Sequence, residues 1–209
     1  MMTTKQRIIY SALTLLAEKG YDAVSVSEIA EAVGIKAPSL YKHFSSKQDI
    51  FHAILAEMAE RYEQRAAQMQ MNGLDAHADL ERLALLSENQ LVEMGKELFL
   101  FFLRDEYVCK FRKMLTVEQY RNRELAALYS KQYVEDPLTY QGMLFDLLAQ
   151  AGVFKDESPQ IMAVHFYAPI YMLLTLCDRQ PEREQEMLQL VEQHMKQFSR
   201  LYNNGGNSK

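Results

Sequence analysis

Between Lys5 and Glu18 the apolar residues Ile8, Ile9, Ala12, Leu13, Leu15 and Leu16 recur at helical spacing, and Gly20 follows as a stop signal. The next apolar group is Ile29, Ala30 and Val33. It follows Ser25-Val26-Ser27-Glu28, where a serine three residues ahead of a glutamate makes a capping box. A helix is therefore expected to start at Ser25 and to stop at Gly34, after about two turns. Pro38 then stands where the first turn of a helix tolerates it. Leu40, Tyr41 and Phe44 mark that second short helix, and Ser45-Ser46-Lys47 breaks it. Ser46 is placed to cap a fourth helix carrying Ile50, Phe51, Ile54, Leu55, Met58 and Tyr62, which the pattern extends to near Met71.

The remaining pattern is helical throughout. Segments are expected near 80–103, with a break at Ser87, and at 106–119 and 123–134. Asp136-Pro137 opens a helix ending at Gly152, Ser158-Pro159 one ending near Asp178, and Pro181 the last. That last helix carries Met187, Leu190, Val191, His194, Met195, Phe198, Leu201 and Tyr202 on one stripe. Residues 203–209, rich in Gly and Asn, are expected to be a disordered tail.

Composition agrees. The 209 residues include only 8 glycines and 5 prolines, too few for the turns that a strand-rich fold needs. The expected fold class is all-α, with a small N-terminal domain at 1–62 and a larger helical domain at 63–202. No apolar run follows the first residues, so no secretory signal is expected. The longest apolar stretch, Ala163–Cys177, is interrupted by His165, Pro169 and Thr175 and reads as too short to span a bilayer. Cys109 and Cys177 lack a CxxC partner and read as small core residues.

The informative constellation is 25–44: a capped short helix, a tight turn at Gly34-Ile35-Lys36, and a second short helix. This is a helix-turn-helix pattern. Ile29, Val33, Ile35, Leu40 and Phe44 can form a mini-core against Ile8, Ala12 and Leu16. The second helix would then expose Lys36, Ala37, Ser39, Lys42 and His43, with Tyr41 beside them. Small, hydroxyl and basic groups of this kind suit a major groove, where they meet phosphates and base edges.

These residues resemble the tetracycline-repressor (TetR) family of bacterial transcriptional regulators. The likeness is carried by Gly20, Ser25, Ile29, Ala30, Val33-Gly34-Ile35, Ser39-Leu40-Tyr41, His43-Phe44, Lys47 and Ile50, over about residues 3–60. It implies a three-helix DNA-binding domain followed by a ligand-binding and dimerisation domain. It implies that Ser25 and Ser27 meet a phosphate, that Lys36, Ala37, Pro38 and Ser39 approach bases, and that Tyr41, His43 and Lys47 clamp phosphates. Lys42 falls at a variable position, as base reader or phosphate partner.

The resemblance further implies a homodimer on a palindromic double-stranded operator, paired through the last two helices. Phe166, Ile170, Leu173, Leu190, His194 and Phe198 are the candidates for that interface. A small-molecule inducer is expected in the middle domain, with Phe99, Phe102, Tyr107, Phe111, Met114, Tyr120, Tyr129 and Tyr133 as candidate lining. Many acids there favour a cationic or neutral amphiphile. The implied protein is a cytoplasmic, bacterial, ligand-released repressor. The residues leave open a helical small-molecule binder, or an activating or accessory DNA-binding factor.

Charge first argues against DNA, because the chain carries 23 basic and 28 acidic residues. The distribution answers the objection. Residues 1–50 hold six basic and five acidic side chains, net +1, which leaves 17 basic and 23 acidic, net −6, beyond them. Lys36, Lys42 and Lys47 lie within 12 residues that contain no acid. Catalysis lacks a motif: there is no GxSxG, P-loop or HExxH, and His43, His52, His77, His165 and His194 lack metal-ligand spacing. No enzyme activity, cofactor or metal is expected.

Overall fold

The computed structural model describes residues 2–204. In chain order the helices are α1 (Thr4–Lys19), α2 (Val26–Val33), α3 (Ala37–Leu40), α4 (Lys47–Gln68), α5 (Ala76–Ala84), α6 (Glu88–Arg104), α7 (Glu106–Glu118), α8 (Arg123–Ser130), α9 (Asp136–Gln150), α10 (Pro159–Cys177) and α11 (Glu184–Tyr202). No strand occurs among the described residues; Phe154 and Asn203 make an isolated antiparallel bridge. The fold is all-α.

Two compact units result. The first is Met1–Tyr62 with Glu106–Ser130, and the second is Glu63–Asp105 with Lys131–Lys209. The division differs from the expected 1–62 and 63–202, because α7 and α8 join the N-terminal helices. Periodicity marks α7 as amphipathic but cannot say which neighbour its apolar face meets.

In the first unit, Ile8, Ala12, Leu13 and Leu16 of α1 are buried with Ile29, Ala30 and Val33 of α2, Leu40, Phe44, and Ile50, Ile54 and Met58 of α4. α7 packs along α1. It buries Tyr107, Val108, Phe111, Met114 and Leu115. Polar bonds fix the register: Lys110 Nζ donates to Tyr10 Oη and Thr14 Oγ1, each at 2.9 Å, and to Glu106 at 2.7 Å. Arg61 lies over the Tyr107 ring at 4.1 Å.

The turn between α1 and α2 is held by Glu118. This carboxylate is 2% exposed and accepts the Tyr21 backbone N–H at 2.8 Å. Gly20 beside it has φ +89° and ψ 162°, a conformation open essentially to glycine alone. A Cβ there would meet Glu118 Oε1 at 2.5 Å.

In the second unit, α9 packs on α10 and α5, and α11 packs on α6 and α10. One cluster gathers Leu83, Leu86, Leu144, Phe145, Leu148, Phe154, Met162, Ala163 and Phe198. Another gathers Val92, Phe99, Leu173, Leu174, Cys177, Met187, Val191 and Met195. α6 starts at Ser87, whose capping box with Gln90 sets the break expected there. Buried Asp79 accepts the N–H groups of Asn72 at 2.5 Å and Gly73 at 2.8 Å, and the Tyr140 hydroxyl at 2.6 Å. Burial, and then that bond to Asp79, push the Tyr140 hydroxyl far above its ordinary range.

Three segments depart from expectation. The helix from Arg123 does not continue in α form to Val134; residues 131–135 form a π turn that leads into α9. Pro137 explains part of this. It has no N–H to give the Tyr133 carbonyl four residues back, and the Tyr167 hydroxyl donates to that carbonyl instead at 2.8 Å. The helix expected from Ser158-Pro159 is α10, but at 19 residues it exceeds the 15-residue apolar stretch Ala163–Cys177 that read as too short to span a bilayer. Its mean hydropathy of 1.4 makes it long and apolar enough to cross a membrane by length and composition. Finally, Asn203 and Asn204 are not part of a disordered tail. Asn204 donates its backbone N–H to Val153 and its side-chain amide to the Gly152 and Phe154 carbonyls. Residues 205–209 lie outside the described residues.

Gly20→Ala should cost about 2 kcal/mol or more in urea-unfolding free energy, combining a disfavoured backbone with displacement of Glu118. Gly34→Ala, where φ is +76° but nothing lies within 4 Å of the added Cβ, should cost about half as much. Equal losses for the two variants would refute the assignment of Glu118 as a constraint on the turn.

Candidate nucleic-acid interface

The first short helix is made by its cap. Ser25 Oγ accepts the Glu28 N–H at 3.2 Å, while Glu28 accepts the Ser25 backbone N–H at 2.8 Å and its hydroxyl at 2.9 Å. Lys19 closes on the same carboxylate at 2.9 Å. The Lys19 bond, followed by those from Ser25, lowers the Glu28 carboxyl from its ordinary 4.5 to about 2. The Ser25 hydroxyl is thus engaged as donor and acceptor in the cap. Any contact it makes with a phosphate competes with Glu28.

α2 ends at Gly34, whose left-handed backbone gives its N–H to the Ala30 and Glu31 carbonyls. The Arg7 guanidinium donates to the Val33 carbonyl at 2.5 Å and ties α1 to this end. The second motif helix, α3, is a single turn with Pro38 near its start. It continues as tight turns, with the His43 and Phe44 N–H groups both donating to the Leu40 carbonyl. Leu40 and Phe44 are buried, so the intervening residues point outward.

The expected reading residues fall into three groups. Lys36, Pro38, Tyr41, Lys42 and His43 are exposed together on and beside α3, as are Ser25 and Ser27 at the head of α2. Tyr41 is 54% exposed although its neighbours Leu40 and Phe44 are core residues. Ala37 and Ser39 are half-buried.

Lys47 stands apart. Its ammonium turns inward and donates to the Tyr21 carbonyl at 2.8 Å and the Val24 carbonyl at 3.0 Å, over the Tyr21 ring at 4.5 Å. Two of its three N–H donors are committed to the loop ahead of α2. Sequence reasoning gave Lys47 a phosphate and missed this bracing role. It also missed Arg7 and Glu118, whose partners are remote in sequence and leave no local signal. Chemically, the arrangement offers cations, a phenol and an imidazole on a narrow convex edge, with the backbone beneath held by internal bonds.

The expected inducer residues do not share one cavity within either unit. Tyr107, Phe111 and Met114 are core residues of the first unit, Tyr129 is half-buried on α8, and Tyr120 is 89% exposed. In the second unit Phe99 is buried, Phe102 packs beside it, and Tyr133 is buried on the π turn. Tyr133 stacks on Tyr171 at 6.0 Å between centroids, and Tyr171 on Tyr167 at 5.7 Å.

Of the expected interface residues, Leu173 and Phe198 are buried inside the second unit rather than presented outward. Phe166 and Ile170 pack against that core, and the His194 ring bonds the Phe166 carbonyl at 2.9 Å. Only Leu190 is well exposed, at 40%. The face that α10 and α11 leave open carries other residues: Ile161, Val164, Ala168 and Met172 on α10, and Leu190 and Leu201 on α11. A groove of roughly 370 Å³ runs between them, lined by Val164, His165, Ala168, Pro169, His194, Gln197, Phe198, Leu201 and Tyr202.

Residues 8–54 match the family model for bacterial regulatory proteins, tetR family. The biofilm operon icaADBC HTH-type negative transcriptional regulator IcaR of Staphylococcus aureus is 51% identical over 47 residues, 22% of this chain and 25% of that one. The HTH-type transcriptional repressor KstR2 of Rhodococcus jostii is 40% identical over 76 residues, 36% of this chain and 37% of its own. The chain thus spans about a quarter to a third of the curated relatives it matches. Among solved structures, a TetR-family regulator structure from Mesorhizobium loti matches 96% of both chains at TM-score 0.64 and 21% identity. The SmeT–triclosan complex, whose repressor is from Stenotrophomonas maltophilia, matches 98% of this chain and 94% of its own at TM-score 0.67 and 18% identity. These two likenesses carry the fold.

The Glu28 bonds give a pH dependence with a definite sign. A carboxyl held below its unfolded value stabilises fully above about 4.5, and that contribution is lost as pH falls toward about 2. Stability measured by circular dichroism across that window should fall less steeply in Glu28→Gln than in the wild type. Lys47→Met should lower stability at neutral pH by about 1–3 kcal/mol, because two carbonyls lose a charged donor. An unchanged unfolding midpoint in Lys47→Met would return Lys47 to the surface role that the sequence gave it.

Proposed function

The chain belongs, through residues 8–54, to the tetR family of bacterial regulatory proteins, and on that premise we propose that it is a dimeric, sequence-specific DNA-binding repressor that a small molecule releases. The observation that carries the DNA reading is the exposed cluster Lys36, Tyr41, Lys42 and His43. It projects from a turn whose buried residues Leu40 and Phe44 fix its direction. Such a cluster can place side chains at base edges while the flanking cations and hydroxyls, Ser27 among them, meet phosphates. Ser25 contributes mainly as the cap that holds α2.

Dimerisation is supported by α10. Only 28% of its apolar span is buried, and its exposed residues fall at helical spacing beside those of α11. A second copy laid on this face would close an isologous interface. It would also present two readers to half-sites about 34–36 Å apart, or a multiple of that distance. The protein would then act in the bacterial cytoplasm, on a palindromic operator.

Ligand release is the finer part of the reading. The stacked Tyr133, Tyr171 and Tyr167 beside the π turn offer electron-rich rings, and π turns recur at functional sites. The solved SmeT complex holds triclosan, and a regulator from Saccharomonospora viridis holds choline. An aromatic molecule or a quaternary ammonium therefore fits the inducer proposed for this chain.

Fluorescence anisotropy with duplexes tiled across the DNA flanking the coding sequence should find one bound well above random sequence at physiological salt. Affinity equal to that for random DNA would remove the sequence-specific reading. Met172→Glu with Val164→Glu should convert the dimer to monomer in light scattering. A wild type that is monomeric and floats with phospholipid vesicles would assign the α10 face to lipid instead.

A further inference from the structure

We propose that the turn between α7 and α8, at Tyr120, Arg121 and Arg123, is a second phosphate-contacting edge of the reader, outside the helix-turn-helix. The proposal rests on the DNA-binding reading above. In the first unit Lys19, Arg61 and Lys110 are paired with carboxylates, Arg7 and Lys47 with backbone carbonyls. Among the described residues the side chains of Arg121 and Arg123, like that of Lys113, have neither a hydrogen bond nor an ion pair, and both arginines are exposed. In this they resemble Lys36 and Lys42 on the reading edge.

The turn is prepared for contact. The N–H groups of Arg121 and Asn122 both donate to the Glu118 carbonyl at 2.9 Å. The Asn122 side chain accepts the N–H groups of Glu124 at 3.0 Å and Leu125 at 3.2 Å, which starts α8. The backbone that carries the two guanidinium groups is already ordered, so meeting a ligand costs only their side-chain freedom. Tyr120, 89% exposed, adds a phenol that neither packs nor is needed by the core.

The turn also stands at the right place. The Glu118 side chain holds Tyr21 from one side through its N–H, and Lys47 holds it from the other through its carbonyl. Arg121 Nη1 lies 3.7 Å from where a Gly20 Cβ would sit. Lys47 also binds Val24, the residue before the Ser25 cap. Head of α2, bracing lysine and arginine turn are therefore linked through four residues of backbone. Where the DNA-binding reading brings a phosphate to the head of α2, the proposal sets a neighbouring phosphate of the same duplex against Arg121 and Arg123. Guanidinium groups suit phosphate because their planar donors bind it in pairs. Asp22 and Glu124, which lie near enough to act on Tyr21, oppose a phosphate here, so the contact rests on the paired guanidinium donors rather than on net charge.

The test is anisotropy of the full-length protein with a fluorescein-labelled 40-base-pair duplex of random sequence and with the tightest flanking duplex, between roughly 50 and 200 mM salt. Arg121→Gln/Arg123→Gln should weaken both complexes severalfold and reduce the slope of log affinity against log salt by about one per lost contact. Arg179→Gln/Arg200→Gln, which removes the same charge from the second unit, should leave the slope unchanged. Melting curves check that each variant is folded. Wild-type affinity and slope in Arg121→Gln/Arg123→Gln would overturn this inference and leave the DNA reading standing. Equal slope losses in both double variants would reduce it to net charge. A wild type that binds neither duplex would overturn both readings. Altered transcription in vitro at unchanged DNA affinity would assign the turn to a protein partner, against the proposal.

Discussion

The backbone of Tyr21 is the point on which the helix-turn-helix depends. A turn that leaves α1 and enters α2 within six residues exposes peptide groups with no helical partner, and such groups must be satisfied. Here a buried carboxylate takes the N–H and an inward lysine takes the carbonyl. Both partners come from other helices, α7 and α4. The direction in which α2 leaves the turn is therefore set by tertiary bonds, and α2 in turn carries Gly34 and the turn into α3. The capping box of Ser25 and Glu28 adds the local constraint, and Lys19 joins it to the end of α1.

This arrangement explains why the most basic residue cluster of the sequence does not behave as a uniform charged face. Three lysines at 36–47 look equivalent on charge alone. Two are exposed and one is a structural strut. The difference is one of backbone accounting: the loop at 21–24 offers two carbonyls, and an ammonium four methylenes from its backbone reaches them. The positive field left at the surface is correspondingly sparse.

How much was legible in the sequence follows from the range of each interaction. The Ser25–Glu28 box spans three residues, and its residue types announce it. The Gly34 cap and the break at Ser87 are equally local. The Lys47 bonds span 26 and 23 residues, and the Glu118 bond spans 97, so no local pattern signals them. The same limit governed the helix faces. Periodicity placed Leu173 and Phe198 correctly on apolar stripes but could not tell inward from outward, because α10 is apolar nearly all round and α11 carries leucines outside its buried stripe. The aromatic residues from Phe99 to Tyr133 were grouped by kind. The fold divides them between two units because α7 sides with α1.

The buried carboxylate of Asp79 has a mechanical side. It grips the backbone at Asn72 and Gly73, a few residues past the end of α4, and holds the hydroxyl of Tyr140 on α9. That makes it a rivet between the root of α4 and a helix that packs against α10. Neither the loop after α4 nor Tyr140 on α9 can shift away from the other without breaking a hydrogen bond to this one carboxylate.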